Sequence, residues 1–173
     1  MRLFIAIRFS KPILETLVRA QQSLARQGAR GNFTRQENLH LTLAFLGETE
    51  DAEAALAAMR QVCGGGPFSL TVSGAGRFGD LWWAGVEKNP RLTALARSLE
   101  SALRSRGFSL ERRAFRPHVT LVRQLTAPRP VDLRIFPKSM VVREISLMES
   151  ERVRGILTYT EVGRCPLTEP PEE

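Results

Sequence analysis

A chain of 173 residues with 43% hydrophobic content is long enough to bury a core, as one large domain or two small lobes. No stretch approaches the ~18–20 uninterrupted apolar residues of a membrane span, and Met1–Phe9, short and broken by Arg2 and Arg8, is not a secretion signal, so a cytoplasmic protein is expected. The net charge of +7, carried by 22 Arg against 3 Lys, suits a polyanionic partner such as nucleic acid and equally suits an arginine-rich genome.

Leu3–Phe9 reads as a strand. Ser10 follows as a helix N-cap with Pro12 in the first turn, and Leu14, Leu17, Val18, Leu24 and Ala25 share one helical face up to a stop near Gly28. A loop leads to a second strand, Leu39–Leu46, ending at Gly47. Glu50–Cys63 is helical, with Leu56, Met59 and Cys63 on one side and three glycines as the stop; Phe68–Ser73 alternates as a strand. Leu81–Glu87 is strand-like. Asn89 is an N-cap with Pro90 at the first helical position, and Leu92, Leu95, Ala96, Leu99 and Leu103 form a stripe that stops near Gly107. Another loop leads to His118–Arg123. Pro128–Pro137 is a connection holding a short strand at Val131–Ile135; Lys138–Leu147 and Leu157–Gly163 are late strands, and Pro166–Glu173 is an acidic, disordered tail. Interspersed strands and helices indicate an α+β or mixed α/β fold.

Strand, helix, loop and strand occur twice in this order. Leu3 to His40 and Leu81 to His118 are both 37 residues apart, so the second copy sits at an offset of 78. A duplication of this kind places two copies of any feature about a pseudo-twofold axis within a single domain spanning residues 1–173.

The repeated feature is His40-Leu41-Thr42-Leu43 and His118-Val119-Thr120-Leu121, and these are the only two histidines of the chain. Residues i and i+2 of a strand share a face about 7 Å apart. Each motif therefore aims an imidazole and a hydroxyl one way and its apolar residues the other. A lone histidine on an apolar strand is more often a hydrogen-bonded core residue; two at matching points of a repeat argue for function. Two imidazoles are too few for a catalytic metal site, which wants about three protein ligands. Cys63 and Cys165, forming no CxxC, read as reduced buried thiols. No metal and no cofactor are therefore expected. Two facing imidazoles suit general acid–base chemistry near neutral pH, and hydroxyl donors suit non-bridging phosphate oxygens. A phosphodiester needs all of these parts, and a strained cyclic phosphate is the easiest such substrate.

These residues resemble the 2H phosphoesterases, and within them the RNA 2′,3′-cyclic phosphodiesterases, or 2′-5′ RNA ligases of the LigT/ThpR type. The resemblance rests on Arg2–Ile7, on Glu37-Asn38-Leu39-His40-Leu41-Thr42-Leu43-Ala44-Phe45-Leu46-Gly47, on Phe115-Arg116-Pro117-His118-Val119-Thr120-Leu121-Val122-Arg123, and on Leu147–Ser150 and Tyr159. It implies a duplicated bilobal fold, two antiparallel-rich sheets facing a central cleft with helices outside. It also implies metal-free hydrolysis of an RNA 2′,3′-cyclic phosphate end to a 2′-phosphomonoester, with joining or cleavage of 2′-5′ linkages in tRNA halves as a related activity. By position, His40 and His118 match the catalytic pair and Thr42 and Thr120 the phosphate-binding hydroxyls; His40 is assigned as general acid and His118 as general base, with the swapped order as the alternative. Arg123 is expected at phosphate or base. Strict alternation turns both Arg123 and its repeat counterpart Phe45 away from the histidines unless a bulge intervenes. Phe45 is expected in the core, with stacking on a nucleobase as the alternative.

The partner expected is RNA ending in a cyclic phosphate, or a cyclic nucleotide, acted on by a monomer that does not engage membranes. Other readings are a different cyclic phosphate such as that of ADP-ribose, a 3′ RNA exonuclease, and a non-catalytic module that holds RNA ends. Arg112, Arg113 and Arg116 either guide the RNA backbone or form a solvated loop. Of the adjacent Trp82 and Trp83, one is expected in the core and the other partly exposed.

Overall fold

The structure, a computed structural model, describes residues 1–169. The elements are β1 (Arg2–Arg8), α1 (Lys11–Arg26), β2 (Arg30–Phe33), β3 (His40–Glu48), α2 (Ala52–Val62), β4 (Phe68–Phe78), β5 (Leu81–Val86), α3 (Pro90–Ser105), β6 (His118–Thr126), β7 (Lys138–Val142), β8 (Glu144–Val153) and β9 (Ile156–Pro166). The strands form two sheets, ordered β3-β1-β8-β9 and β2-β6-β5-β4-β7. Every pairing in both is antiparallel, so the fold is α+β.

The repeat read from the sequence organises both sheets. β1 and β5 are interior strands, each flanked on one side by the histidine strand of its own copy: Arg8 pairs with His40, and Gly85 with His118. The buried run of β1 from Leu3 to Ile7 is apolar on both faces, which suits an interior strand. Asn89 caps α3 by accepting from the Leu92 amide at 3.1 Å, and Asp51 caps α2 by accepting from Ala54 at 3.0 Å. Gly28 and Gly107 end α1 and α3 in the left-handed region, at φ +86° and +93°, which glycine enters without a Cβ clash.

Each copy's helix packs against the other copy's sheet. α1 lies on β6 and β7, and α3 lies on β3. One apolar core therefore runs through Ile13, Leu17, Leu41, Leu70, Leu99 and Leu121. As the alternation requires, Leu41, Leu43, Val119 and Leu121 are all buried in it.

Four expectations change. The loop after α1 holds β2, an extra edge strand pairing with β6. The single strand expected over Lys138–Leu147 is two, β7 in one sheet and β8 in the other, because the chain switches sheets at Arg143. Val131–Ile135 forms no strand; Ile135 is buried and its carbonyl accepts from Gly74 at 2.9 Å. The segment from Pro166 to Glu169 is not a disordered tail. Pro166 closes β9, Leu167 is only 7% exposed and donates to the Arg143 carbonyl at 2.8 Å, and Thr168 donates to the Cys63 carbonyl at 2.9 Å. One inserted leucine and two backbone bonds outweigh the Pro/Glu composition there, and the rest of the expected tail, 170–173, lies outside the described residues. Both cysteines are buried free thiols.

Gly85 pairs with His118, and a Cβ there would sit 2.5 Å from the Ser73 carbonyl oxygen. Gly85→Val must therefore push β4 off β5 next to the second histidine. It is expected to cost about 1–3 kcal/mol, read as a lower urea midpoint.

Candidate active site

Both histidines are half-buried at the first residue of their strands, and each donates a hydrogen bond from Nδ1 to the carbonyl two residues upstream. For His40 the acceptor is Asn38, at 2.7 Å; for His118 it is Arg116, also at 2.7 Å. A ring nitrogen facing a carbonyl must carry the proton, so Nε2 is the free lone pair in the neutral ring. The flanks make those carbonyls rigid. The Asn38 side chain is buried and donates to the Leu157 carbonyl at 2.9 Å, tying the start of β3 to β9. Pro117 restricts Arg116 to extended backbone. Thr42 Oγ1 lies 2.7 Å from His40 Nε2, as expected for residues i and i+2. Thr120 stands two residues after His118, as Thr42 does after His40, and its carbonyl accepts from Thr34 Oγ1 at 2.9 Å.

A β-bulge follows each motif at the same repeat position. In β3, Ala6 pairs with Thr42 and Ile5 with Ala44, leaving Leu43 as the extra residue. In β6, Trp83 pairs with Thr120 and Trp82 with Val122, leaving Leu121 as the extra residue. Two consecutive side chains thus turn into the core, and the next one returns to the histidine face. In the first copy that residue is Phe45, whose ring centre is 6.3 Å from Phe4; Phe4 in turn is 4.9 Å from His40. Phe45 is 71% exposed, which corrects its expected core placement. In the second copy it is Arg123, whose charge reaches both His40 and Tyr159. The carbonyl freed at the second bulge, Leu121, accepts from Gln21 Nε2 at 2.9 Å and from the Thr34 amide at 2.9 Å. Gln21 is the buried polar residue of α1, so the helix side chain holds the bulge open.

Aromatic rings wall both imidazoles. Tyr159 stands edge-on to His40 at 5.2 Å and to Phe4 at 4.9 Å. Phe78 stands edge-on to His118 at 5.4 Å, with Trp83 at 6.3 Å. Trp83 lies on the cleft side over Gly76, where a Cβ would collide with the indole. Trp82 faces the other way, packing with Val122 and Leu125. The motif pattern does not mark Phe4, Phe78 and Tyr159 as site residues; Phe4 and Tyr159 fall in stretches that carry the family resemblance, and Phe78 leaves no such trace.

Burial is the main cause that lowers the His40 pKa from 6.5. Its bond to Asn38 opposes that shift, and the charges of His118 and Arg123 add to it. The charges of His118 and Arg123 thus act on His40 where β3 and β6 meet. Burial pushes the Tyr159 phenol up against the opposing pull of Arg123 and Arg2, so it stays a hydroxyl donor. Among the described residues, no three His, Cys, Asp or Glu side chains gather in a metal-binding group, and no helix is long and apolar enough to cross a membrane.

The family model described as the 2′-5′ RNA ligase superfamily matches residues 11–154, and the chain belongs to that superfamily. It is 34% identical to the RNA 2′,3′-cyclic phosphodiesterase of Escherichia coli K12 over 172 residues, covering 97% of each chain. It is 31% identical to the Geobacillus stearothermophilus protein of the same name, covering 98% of this chain and spanning 58% of that longer relative. The crystal structure of E. coli LigT complexed with 3′-AMP superposes with a TM-score of 0.80 at 33% identity, over 96% of this chain and 98% of that one.

The lowered His40 pKa has a direction that stability measurements read. Between the lowered folded value and about 6.5 the unfolded chain binds more protons. The contribution of His40 is therefore complete above about 6.5 and is lost as pH falls through the folded value. Urea midpoints of the wild type are expected to drop between pH 7.5 and pH 5 by more than those of His40→Gln; equal drops would mean that His40 is solvated.

Proposed function

We propose that this enzyme opens 2′,3′-cyclic phosphate ends of RNA to 2′-phosphomonoesters, without a metal ion, by acid–base catalysis on His40 and His118. The observation that carries the reading is the matched pair of imidazoles, each held through Nδ1, with Nε2 turned to the neighbouring Thr42 hydroxyl in His40. In this scheme His118 Nε2 takes a proton from water as its oxygen bonds to phosphorus. The bond from phosphorus to the 3′ oxygen breaks, and His40 gives that oxygen a proton. Thr42 and Thr120 donate to the non-bridging oxygens, whose charge grows in the transition state. Arg123 holds the phosphate or the base, and Phe45 stacks on the nucleobase. With the 5′ hydroxyl of a second RNA in place of water, the same proton transfers join the two through a 2′-5′ linkage.

The burial that lowers the His40 pKa works against a proton there in the free enzyme. The negative charge of the bound phosphodiester is the counterweight, and it makes the acid available when substrate is present. The chain folds as one domain in which the two copies act as lobes flanking this cleft.

Turnover of a short RNA with a cyclic phosphate end, in EDTA and with the product position resolved, tests the reading. A 2′-phosphate is expected. His40→Ala and His118→Ala are each expected to lower kcat by about 10²-fold or more while the fold persists; retained activity in either variant removes the two-histidine mechanism. Arg123→Ala and Phe45→Ala are expected to raise KM by more than they lower kcat, measured by steady-state kinetics.

A further inference from the structure

We infer that the groove behind the β4–β5 hairpin is a track for the single-stranded RNA that lies 5′ to the reacting nucleotide. The inference rests on the RNA reading above and extends it from the terminal nucleotide to the chain attached to it.

The hairpin tip is one wall of the catalytic cleft. Phe78, 45% exposed, stands edge-on to His118. The residue before it, Arg77, lies on the opposite side, with its guanidinium 5.6 Å from the ring centre of Trp82. That side opens into a groove of about 690 Å³ whose walls include Arg77, Asp80, Trp82 and Arg129. A second hollow adjoins it at Ala127 and Pro128 and adds Arg30. The groove lies away from both histidines, so it is not the catalytic cleft. It begins one residue beyond the cleft's wall.

Its chemistry is that of a single-stranded nucleic-acid groove. The two hollows are lined by three arginines, Arg30, Arg77 and Arg129, and one carboxylate, Asp80, and none of the three arginines takes part in an ion pair among the described residues. An indole with an arginine stacked on it is the pairing that accepts bases without reading sequence. The backbone around it is firm: the Leu125 amide donates to the Asp80 carbonyl at 3.0 Å, and Arg30 pairs with Thr126 in the sheet. A mononucleotide held at the histidines reaches none of these groups. An oligonucleotide leaving the cleft over Phe78 meets them in turn, Arg77 first.

The test compares wild type with the Arg30→Gln, Arg77→Gln, Arg129→Gln triple variant on a 2′,3′-cyclic mononucleotide and on an eight-residue RNA with the same end. These are exposed surface positions. An Arg30→Gln, Arg129→Gln double variant keeps the Arg77–Trp82 stack, in case losing it disturbs the hairpin. Mononucleotide kcat/KM is expected to stay within twofold. For the RNA, KM is expected to rise about tenfold, and the slope of log KM against log salt to flatten by about 2–3 in the triple variant. Equal effects on both substrates, or none on the RNA, overturn the inference. Anisotropy of a fluorescent RNA with a 2′-phosphate end provides a readout free of turnover. Wild type that binds this RNA through the three arginines but turns over neither substrate contradicts the phosphodiesterase reading and leaves the track standing; binding unchanged in the triple variant removes the track.

Discussion

The hydrogen bond from each histidine Nδ1 to the carbonyl two residues upstream is the constraint on which the site depends. It fixes the tautomer and the ring plane and puts the ring lone pair on Nε2, all at the first residue of a strand. Here the upstream backbone is held by Asn38 reaching β9 on one side and by Pro117 on the other. The Asn-Leu-His and Arg-Pro-His flanks are therefore two solutions to one problem, keeping an acceptor carbonyl still beneath an imidazole.

The repeated bulge explains why a duplicated scaffold makes an asymmetric site. The same extra residue, Leu43 or Leu121, returns the side chain five places after histidine to the cleft. One copy delivers a phenyl ring and the other a guanidinium. Backbone geometry is symmetric while the chemistry is not, which suits a substrate with a base at one end and a charged phosphate at the other. The crossed packing, with α1 on the second sheet and α3 on the first, joins the two copies through a common core. Gln21 makes this coupling visible, since a side chain of the first copy's helix satisfies the bulge carbonyl of the second copy's histidine strand.

What the sequence disclosed was local. The His-x-Thr pairs, the Asn89 cap, the glycine stops and the apolar stripe of α3 depend on residues near one another in the chain; on α1 the buried face is Ile13, Leu17, Ala20, Gln21 and Leu24, and Ala25, expected on it, is exposed. What it hid was set by partners far away. β2 has no apolar alternation and exists because β6 offers an edge. The switch at Arg143 leaves no mark in a run that reads as one strand, and Leu167 finds a core built by residues a hundred positions earlier. Only the second bulge left a faint trace: Leu121-Val122 breaks the alternation with two apolar residues before Arg123, whereas the first copy runs on as Leu43-Ala44-Phe45-Leu46, in which an exposed phenyl ring cannot be told from a core one.

Because the chain has only two histidines, imidazole NMR resolves the central claim with two titrating signals. The account holds that the two rings face one cleft and that the charge on His118 helps to lower the pKa of His40. The measurement is the His40 titration by ¹⁵N-detected NMR in wild type and in His118→Gln. An upward shift of the His40 pKa in the variant is predicted. An unchanged His40 titration would contradict the account, because it would place the two imidazoles in separate sites.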